Sequence, residues 1–156
     1  KEKASSLIIS SAVNTMKTLN KEASEIAQKC NPNAVTDITG FGLVGHLIEV
    51  CKSSKVSAEI NFNQIDLLPG TLDLIEEGIM PGGSKRNLEH AEKFTNFSSE
   101  LTYNQKLIAC DAQTSGGLLI TLPPKNSKKF LNEFGNDAKI IGKIVSKKNK
   151  SVIAKL

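Results

Sequence analysis

The sequence predicts an α+β fold. Helical and strand-like patterns interleave along the 156 residues without the regular strand–helix–strand rhythm of a Rossmann-type sheet. Apolar residues make up 39 % of the chain, an ordinary share for a globular protein with a core of its own. Because the chain has no Trp and one Tyr, that core is expected to be aliphatic.

Two amphipathic helices open the chain. Apolar residues recur at helical spacing over residues 5–18, and again after Asn20, whose side chain is a good N-cap. Pro32 ends the second helix, because its ring and missing N–H prevent the helix from continuing. The residues expected to face inward are Ile8, Ile9, Ala12, Val13, Met16 and Leu19 in the first helix and Ala23, Ile26, Ala27 and Cys30 in the second.

From residue 34 onward, strands and helices alternate irregularly. Over residues 56–62 apolar residues alternate with polar ones, which is typical of a half-buried strand. The predicted series is a strand at 34–36, a turn at 37–42, a helix with Leu43, Val44, Leu47, Ile48 and Cys51 inward, the strand at 56–62 with Val56, Ala58, Ile60 and Phe62 on one side, a helix at 71–77, a glycine loop at 80–84, a polar helix near 86–93, an irregular stretch at 94–105, a buried strand at 118–122, a helix at 125–134, and strands at 139–145 and 151–156.

Charge and hydropathy argue against two classes of protein. The formal charge is +4, and the excess lies mainly in the lysines of the C-terminal region. A nucleic-acid-binding protein usually carries a stronger basic stripe with aromatic residues for stacking, so no nucleic-acid partner is expected. The apolar stretches are too short to span a bilayer, and no signal peptide is visible, so we expect no membrane partner and a cytoplasmic location.

The three cysteines are expected to be reduced thiols. Their number is odd and no CxxC spacing occurs, which favours the cytoplasm over an oxidising compartment. Cys30 and Cys51 lie on apolar helical faces and are predicted to belong to the core. Cys110 is predicted to be buried and unreactive, because nothing in the sequence indicates an environment that lowers a thiol pKa.

Residues 37–42, Asp-Ile-Thr-Gly-Phe-Gly, form the segment best suited to chemistry. They follow a strand and open a helix, whose first N–H groups and dipole favour phosphate oxygens. Gly40 and Gly42 lack Cβ atoms, so a ligand can approach the backbone, and Thr39 offers a hydroxyl. A carboxylate beside phosphates requires a cation between them, and Asp37 is therefore a candidate Mg²⁺ ligand that needs partner ligands from elsewhere. The alternative is a turn that only shapes a helix start.

Four sequence motifs follow one another along the chain. Residues 36–46 read TDITGFGLVGH and resemble the TDxTGFGLxGH motif of selenophosphate synthetases (selenide, water dikinases). Residues 67–70 (LLPG), 80–87 (MPGGSKRN) and 110–119 (CDAQTSGGLL) are similar to its LLPG turn, its PGG(T/S)xRN loop and its CDPQTSGGLL segment. Ala112 stands where the family usually has Pro, which is expected to loosen the turn.

The resemblance implies a C-terminal lobe of the aminoimidazole-ribonucleotide-synthetase superfamily, a mixed sheet with helices packed on it and partly ferredoxin-like. It divides the chain into a helical lead-in at 1–32 and the lobe at 33–156. In the family the Asp of the first motif ligates magnesium on the ATP phosphates, a role that falls to Asp37. Thr39 and Gly40 are then neighbours of the phosphates. The complete enzyme makes selenophosphate from selenide, ATP and water, with release of AMP and phosphate.

Several expected features of the family are not in this sequence. The catalytic Cys or selenocysteine with its Lys, the other metal carboxylates and the dimerising ATP-binding domain belong to the N-terminal part of the family's proteins. The chain opens with Lys1 and runs at once into a helical pattern, as a fragment does. We therefore expect a homodimer only through the missing domain, no catalytic residue in this chain, and no activity of these residues alone.

Other interpretations stay open at this stage. The chain is alternatively a lobe of another ATP-using member, such as a purine-synthesis cyclo-ligase or a thiamine-phosphate kinase, or a non-catalytic interaction module. His46 either orients the first motif or, as the pattern favours, only packs on the helix. Lys85 and Arg86 either contact phosphate or are solvated charges, and residues 111–117 either line the site or form a tight turn before a strand.

Overall fold

The computed structural model describes residues 3–135 and 137–156, and it confirms the α+β prediction. The helices and strands lie in irregular order along the chain. They are α1 (Ser6–Lys17), α2 (Lys21–Lys29), β1 (Ala34–Asp37), α3 (Gly42–Ser53), β2 (Ser57–Asn61), α4 (Thr71–Glu76), α5 (Gly82–Ala91), β3 (Thr95–Phe97), α6 (Tyr103–Ala109), β4 (Leu118–Thr121), α7 (Pro124–Phe134), β5 (Gly142–Val145) and β6 (Val152–Lys155), with a 3₁₀ turn at Phe62–Gln64 after β2.

The strands form two sheets. A mixed four-stranded sheet has the order β3-β6-β2-β5, with β6 parallel to both β3 and β2, and β5 antiparallel to β2. A separate antiparallel pair joins β1 to β4, in a register that sets Asp37 opposite Leu118. This pairing places the end of β1 beside the start of β4, so the segments next to them in the sequence also meet.

The main core lies between α3 and the four-stranded sheet. The predicted inward residues Val44, Leu47, Ile48 and Cys51 are buried, because they recur on one face of α3 at helical spacing. On the sheet side, Ala58 and Ile60 of β2 and the following Phe62 are buried, which confirms the predicted alternation. Each such Leu or Ile stabilises the fold by roughly 1.5–3 kcal/mol through its removal from water. This packing holds α3 against the sheet and so fixes the position of its first residues.

A smaller apolar cluster packs α2 against α7. Ile26, Ala27 and Cys30 of the second predicted helix face Phe130, and all four are buried. The Asn126 side chain of α7 also donates a hydrogen bond to the Cys30 carbonyl oxygen at 2.8 Å. The predicted inward positions of Ile26, Ala27 and Cys30 are therefore confirmed.

The prediction for α1 is wrong about burial. The helix forms, but Ile9, Met16 and Leu19 are 48 %, 43 % and 79 % exposed, and no residue of α1 is buried. Ile8 is half-buried and lies against Gly70, and Lys3 pairs with Glu77. Periodicity reports that a helix has an apolar face; it does not report what covers that face.

The predicted cap of α2 is also wrong. The Asn20 side chain makes no capping hydrogen bond, and its backbone, with φ −73° and ψ 3°, is not extended. An N-cap side chain reaches the next N–H groups from an extended backbone, so Asn20 is in the wrong conformation.

Four segments differ from the predicted boundaries. The fifth helix begins at Gly82, within the predicted glycine loop, and residues 94–105 contain β3 and the start of α6. Thr102 and Gln105 form a capping box at α6, a spacing that was visible in the sequence. Strand β4 is half-buried along its length, and residues 139–141 precede β5.

Glu59 of β2, whose side chain is 18 % exposed, lies among three lysines. Lys148 Nζ is 2.7 Å from Oε1, and Lys143 and Lys155 are 3.5 and 3.9 Å from Oε2. The hydrogen bond from Lys148, aided by the positive charges of all three lysines, holds the pKa of Glu59 below its ordinary value despite some desolvation.

We therefore expect Glu59 to stabilise the fold only above acidic pH. Its folded-state pKa is depressed, so its contribution is fully present above the unfolded value of about 4.3 and is lost as pH falls through the folded pKa. The Glu59→Gln variant should melt below the parent at pH 7, with a difference that shrinks in high salt. The two melting curves should converge as the pH is lowered below the unfolded-state pKa of about 4.3 and through the lower folded-state pKa; a gap that stays the same over this range would show that the charge is irrelevant.

No helix in the described part of the chain is long and apolar enough to cross a membrane.

Candidate functional site

Three loops that carry the sequence motifs lie together. We call residues 37–42 the first loop, residues 80–84 the second loop and residues 110–117 the third loop. Ile38 exchanges two backbone hydrogen bonds with the third loop: its N–H donates to the Gly117 carbonyl and its carbonyl accepts from the Gly116 N–H, both at 2.9 Å. The Gln113 N–H donates to the Thr39 carbonyl at 3.1 Å. The first and third loops therefore form one backbone-bonded unit.

Helix α5 ties the second loop to the other two. Asn87 Nδ2 donates to the carbonyl oxygens of Gly40, at 2.8 Å, and of Cys110, at 3.1 Å. Ser84, one turn earlier on the same helix, is buried, and its hydroxyl makes hydrogen bonds with the third loop. These two side chains explain how residues distant in sequence hold one site.

Both oxygens of the Asp111 carboxylate accept hydrogen bonds from side chains of the second and third loops. Ser84 Oγ donates to Oδ1 at 2.5 Å, and Gln113 Nε2 donates to Oδ2 at 2.8 Å. Ser84 Oγ in turn accepts the Ala112 N–H at 3.3 Å. Because both of its oxygens have protein partners, Asp111 holds the third loop in shape and is not a free ligand.

Gly42 is required by the backbone where α3 begins. Its φ is +70°, and an added Cβ would lie 2.6 Å from the Asp111 carbonyl oxygen and 2.6 Å from the Cys110 carbonyl carbon. A larger residue is excluded for two reasons: L-residues disfavour a φ in this left-handed region, and the atoms that a Cβ would contact belong to the backbone. The close approach keeps the start of α3 against the third loop.

Gly40 is under no such constraint. An added Cβ at this position would meet no atom within 4 Å, and the residue is exposed. Packing of the described residues therefore leaves open space over the Gly40 backbone, on the side that a Cβ would occupy. This space is open to a ligand.

Asp37 ends β1 with an exposed side chain. Across residues 3–135 and 137–156 its carboxylate has neither an ion pair nor a side-chain hydrogen bond, in contrast to Asp111. The described residues contain no group of three His, Cys, Asp or Glu side chains arranged to hold a metal ion. A free carboxylate with oxygen donors fits one position in the shell of Mg²⁺, and the remaining ligands would have to be supplied by substrate, water or other carboxylates.

Thr39 and His46 link the first loop to α3. The Thr39 N–H donates to His46 Nε2 at 3.0 Å, and Thr39 Oγ1 lies 3.2 Å from the same nitrogen. The favoured interpretation, that His46 only packs on the helix, is therefore wrong, because its ring also makes a hydrogen bond with the first loop. Its position four residues after Gly42 was visible, but a spacing does not say which way a ring points.

The electrostatic surroundings of the cluster are positive at two helix starts. The first turns of α3 and α5 contain no acidic residue, and neither helix has a side-chain cap. Lys85 and Arg86 are exposed, and no ion pair to either occurs within the described chain. The Arg86 guanidinium lies near Gly82 and Gly83, about 4.0 Å from the position of an added Cβ on each. This arrangement favours an anion beside the first and second loops.

Comparison with known proteins assigns the chain to a family. Residues 5–155 match the family described as "AIR synthase related protein, C-terminal domain". The chain belongs to this family. The four motifs, and the three-loop cluster that three of them build, all fall within the matched residues.

The similar relatives carry the name "Selenide, water dikinase". The protein of Shewanella sp. strain ANA-3 is 46 % identical over 111 residues, which cover 71 % of this chain and 31 % of that protein. The protein of Shewanella baltica strain OS155 is 45 % identical over 121 residues, covering 78 % and 34 %. The protein of Haemophilus ducreyi is 45 % identical over 112 residues, covering 72 % and 32 %. The chain thus spans about a third of the length of these curated relatives, and its predicted resemblance to the C-terminal domain of selenophosphate synthetases is confirmed.

Within this domain, sequence analysis gave no role to three residues that hold the site together. Ser84, Asn87 and Gln113 all lie in the quoted motifs. The side chains of Ser84 and Asn87 bond to loops up to 47 residues away in sequence, and that of Gln113 bonds to Asp111 within the third loop. Polar side chains next to glycine loops were the available signal. Their partners depend on the tertiary fold, which no local spacing reveals.

The thiols of the chain are expected to be inert. All three cysteines are free and buried, as predicted. Burial raises the pKa of Cys110 to about 12, with Glu92 adding to the rise, and burial likewise raises the pKa of Cys51 against the charge of Lys147. Because the thiolate is the reactive form, Ellman's reagent at pH 8 should titrate no thiol in the native chain within minutes and all three after unfolding in guanidinium. Rapid reaction of a native thiol would contradict this.

Proposed function

We propose that this chain is the C-terminal lobe of a selenide, water dikinase, which makes selenophosphate from selenide, ATP and water and releases AMP and phosphate. The observation that carries the proposal is the three-loop cluster, in which Asp37 is the carboxylate that has no side-chain partner among the described residues. Three of the four motifs that resemble selenophosphate synthetases, all but residues 67–70, build this cluster. The names of the relatives support the choice of reaction.

In this proposal Asp37 supplies one oxygen ligand to Mg²⁺ bound with the ATP phosphates. The cation would neutralise phosphate charge, which is the chemistry that makes phosphoryl transfer accessible. The carboxylate suits this role because it is exposed and has no partner in the described part of the chain. Its backbone is fixed by the pairing of β1 with β4, so the chain positions the ligand in advance.

Thr39 and Gly40 are proposed to border the phosphates. Thr39 has a hydroxyl near the start of α3, and Gly40 leaves open space over its backbone. Lys85 and Arg86 lie near the second loop and form no ion pair with any described residue, so their positive charges add attraction for an anionic substrate. The Asn87 side chain donates a hydrogen bond to the Gly40 carbonyl oxygen. This bond fixes which face of the Gly40 backbone points toward the proposed ligand.

The remaining elements of the proposal concern the rest of the enzyme. A nucleophile, further metal ligands and dimer contacts would come from an N-terminal ATP-binding domain, and the enzyme would be cytoplasmic and use neither nucleic acid nor membrane as a partner. The proposed chain consists of a helical lead-in at 1–32 and the lobe itself at 33–156. On this account the isolated 156 residues catalyse nothing.

An assay for selenophosphate tests the proposal directly. The full-length enzyme that contains this chain should convert selenide and ATP to selenophosphate with Mg²⁺ present, observed by ³¹P nuclear magnetic resonance together with AMP. The 156-residue chain under the same conditions should form none. Consumption of ATP without selenophosphate, coupled instead to ring closure of a purine precursor or to phosphorylation of thiamine phosphate, would assign the lobe to another reaction. Selenophosphate made by the chain alone would also contradict the account.

A further inference from the structure

The hydrogen bond between Thr39 and His46 specifies the state of the ring. A backbone N–H can only donate, so His46 Nε2, 3.0 Å from Thr39 N, has to present a lone pair. A neutral imidazole has one donor and one acceptor nitrogen, so the proton is on Nδ1. The Thr39 hydroxyl, 3.2 Å from the same Nε2, is held on the same side of the ring.

The backbone polar groups of Thr39 are thereby all occupied within the protein. Its carbonyl accepts the N–H of Gly42 at 3.0 Å and the N–H of Gln113 at 3.1 Å, while its own N–H donates to His46. The hydroxyl is the one polar group of Thr39 that remains for a ligand. Thr39 lies between Asp37 and Gly40, so fixing it fixes the middle of the first loop.

The His46 ring is itself held in place. The Phe41 ring packs beside it, with centroids 5.6 Å apart and planes tilted by 54°. Gly45 leaves room for this packing, because a Cβ at that position would lie 2.9 Å from Phe41 Cβ. Phe41 remains 64 % exposed, so it supports the ring from the solvent side without enclosing it.

From these contacts we propose that His46 is the positioning residue of the first loop, acting as a neutral Nδ1–H tautomer that accepts the Thr39 N–H. The contact does not depend on which reaction the enzyme carries out. Its effect on turnover rests on the proposed function. In that setting His46 keeps the Thr39 hydroxyl and the Asp37 carboxylate in register with the phosphates, so it acts through Thr39 and touches no reacting atom.

The tautomer is measurable on this chain, because the sequence contains two histidines. In a ¹⁵N-labelled sample at pH 8, where an ordinary imidazole is neutral, long-range ¹H–¹⁵N spectra should show His46 protonated on Nδ1 and unprotonated on Nε2. A coupling across the hydrogen bond should connect His46 Nε2 with the Thr39 amide nitrogen. His90, exposed near the end of α5, serves as the reference ring. A His46 ring protonated on Nε2 would overturn the proposal.

Two variants of the full-length enzyme separate positioning from packing. His46→Gln keeps an acceptor on a flexible side chain, whereas His46→Leu keeps bulk without an acceptor. We expect kcat/KM for ATP to fall about tenfold or more in His46→Leu and to stay within about threefold of the parent in His46→Gln, since loop misplacement is costly. If kcat/KM falls equally in both variants, in step with their melting temperatures, His46 is only a packing residue and the proposal is overturned. If the full-length enzyme forms no selenophosphate while the Thr39 coupling is seen, the proposed function fails and the His46 contact stands.

Discussion

Replacing Asp37 with Asn should lower selenophosphate formation by the full-length enzyme at least about 100-fold, because a neutral amide is a far poorer magnesium ligand than a carboxylate. The melting temperature should change by no more than about 2 °C, since Asp37 is exposed and the described chain gives it no partner to lose. Steady-state kinetics over a range of Mg²⁺ concentrations and differential scanning calorimetry measure the two quantities. We expect excess Mg²⁺ to restore part of the lost rate.

The matched control is Asp73→Asn, which removes the same charge from an exposed aspartate in the first turn of α4. Its activity should stay within about twofold of the parent, because the mutation leaves the three loops untouched. If both variants lose activity equally, charge alone accounts for the effect. If Asp37→Asn is as active as the parent, Asp37 is not a metal ligand.

The second large effect is on stability. Gly42→Ala should destabilise the chain by roughly 3 kcal/mol, because alanine at φ +70° costs about 1–2 kcal/mol and its Cβ would lie 2.6 Å from two backbone atoms of the third loop. For a chain of this size the melting temperature should fall by about 6–12 °C. Thermal unfolding of the 156-residue chain, followed by circular dichroism, measures this.

Gly40→Ala is the control within the same loop. Its added methyl group meets no atom within 4 Å, so the melting temperature should stay within about 2 °C of the parent. If ligand phosphates lie over this backbone, the same variant should weaken ATP binding by the full-length enzyme. Equal destabilisation by the two substitutions would contradict the described contact between Gly42 and the third loop.

The sequence was informative where local pattern and fold agree. Alternation over residues 56–62 and the helical spacing of Val44, Leu47, Ile48 and Cys51 correctly identified both sides of the main core. The face of α1 was misjudged because periodicity is a local property and burial depends on what lies opposite. The start of α6 was not predicted, although its local signal, the capping pair Thr102 and Gln105, is present in the sequence.

For the site, the motifs indicated which loops matter and the fold explains why they act together. Asp37, Thr39 and Gly40 all lie in one cluster with the second and third loops, but their proposed ligands stay predictions. The roles of Asp111 and His46 were undecidable from spacing, since Asp111 is held by Ser84 and Gln113 and His46 by Thr39. Such pairs are set by side-chain direction, which depends on backbone geometry.

The most direct test is a crystal structure of the full-length enzyme with Mg²⁺ and a non-hydrolysable ATP analogue. The account predicts a carboxylate oxygen of Asp37 at about 2.1 Å from a Mg²⁺ ion that also binds phosphate oxygens. A nucleotide and its cation bound away from residues 37–42, with the Asp37 side chain still in solvent, would contradict it.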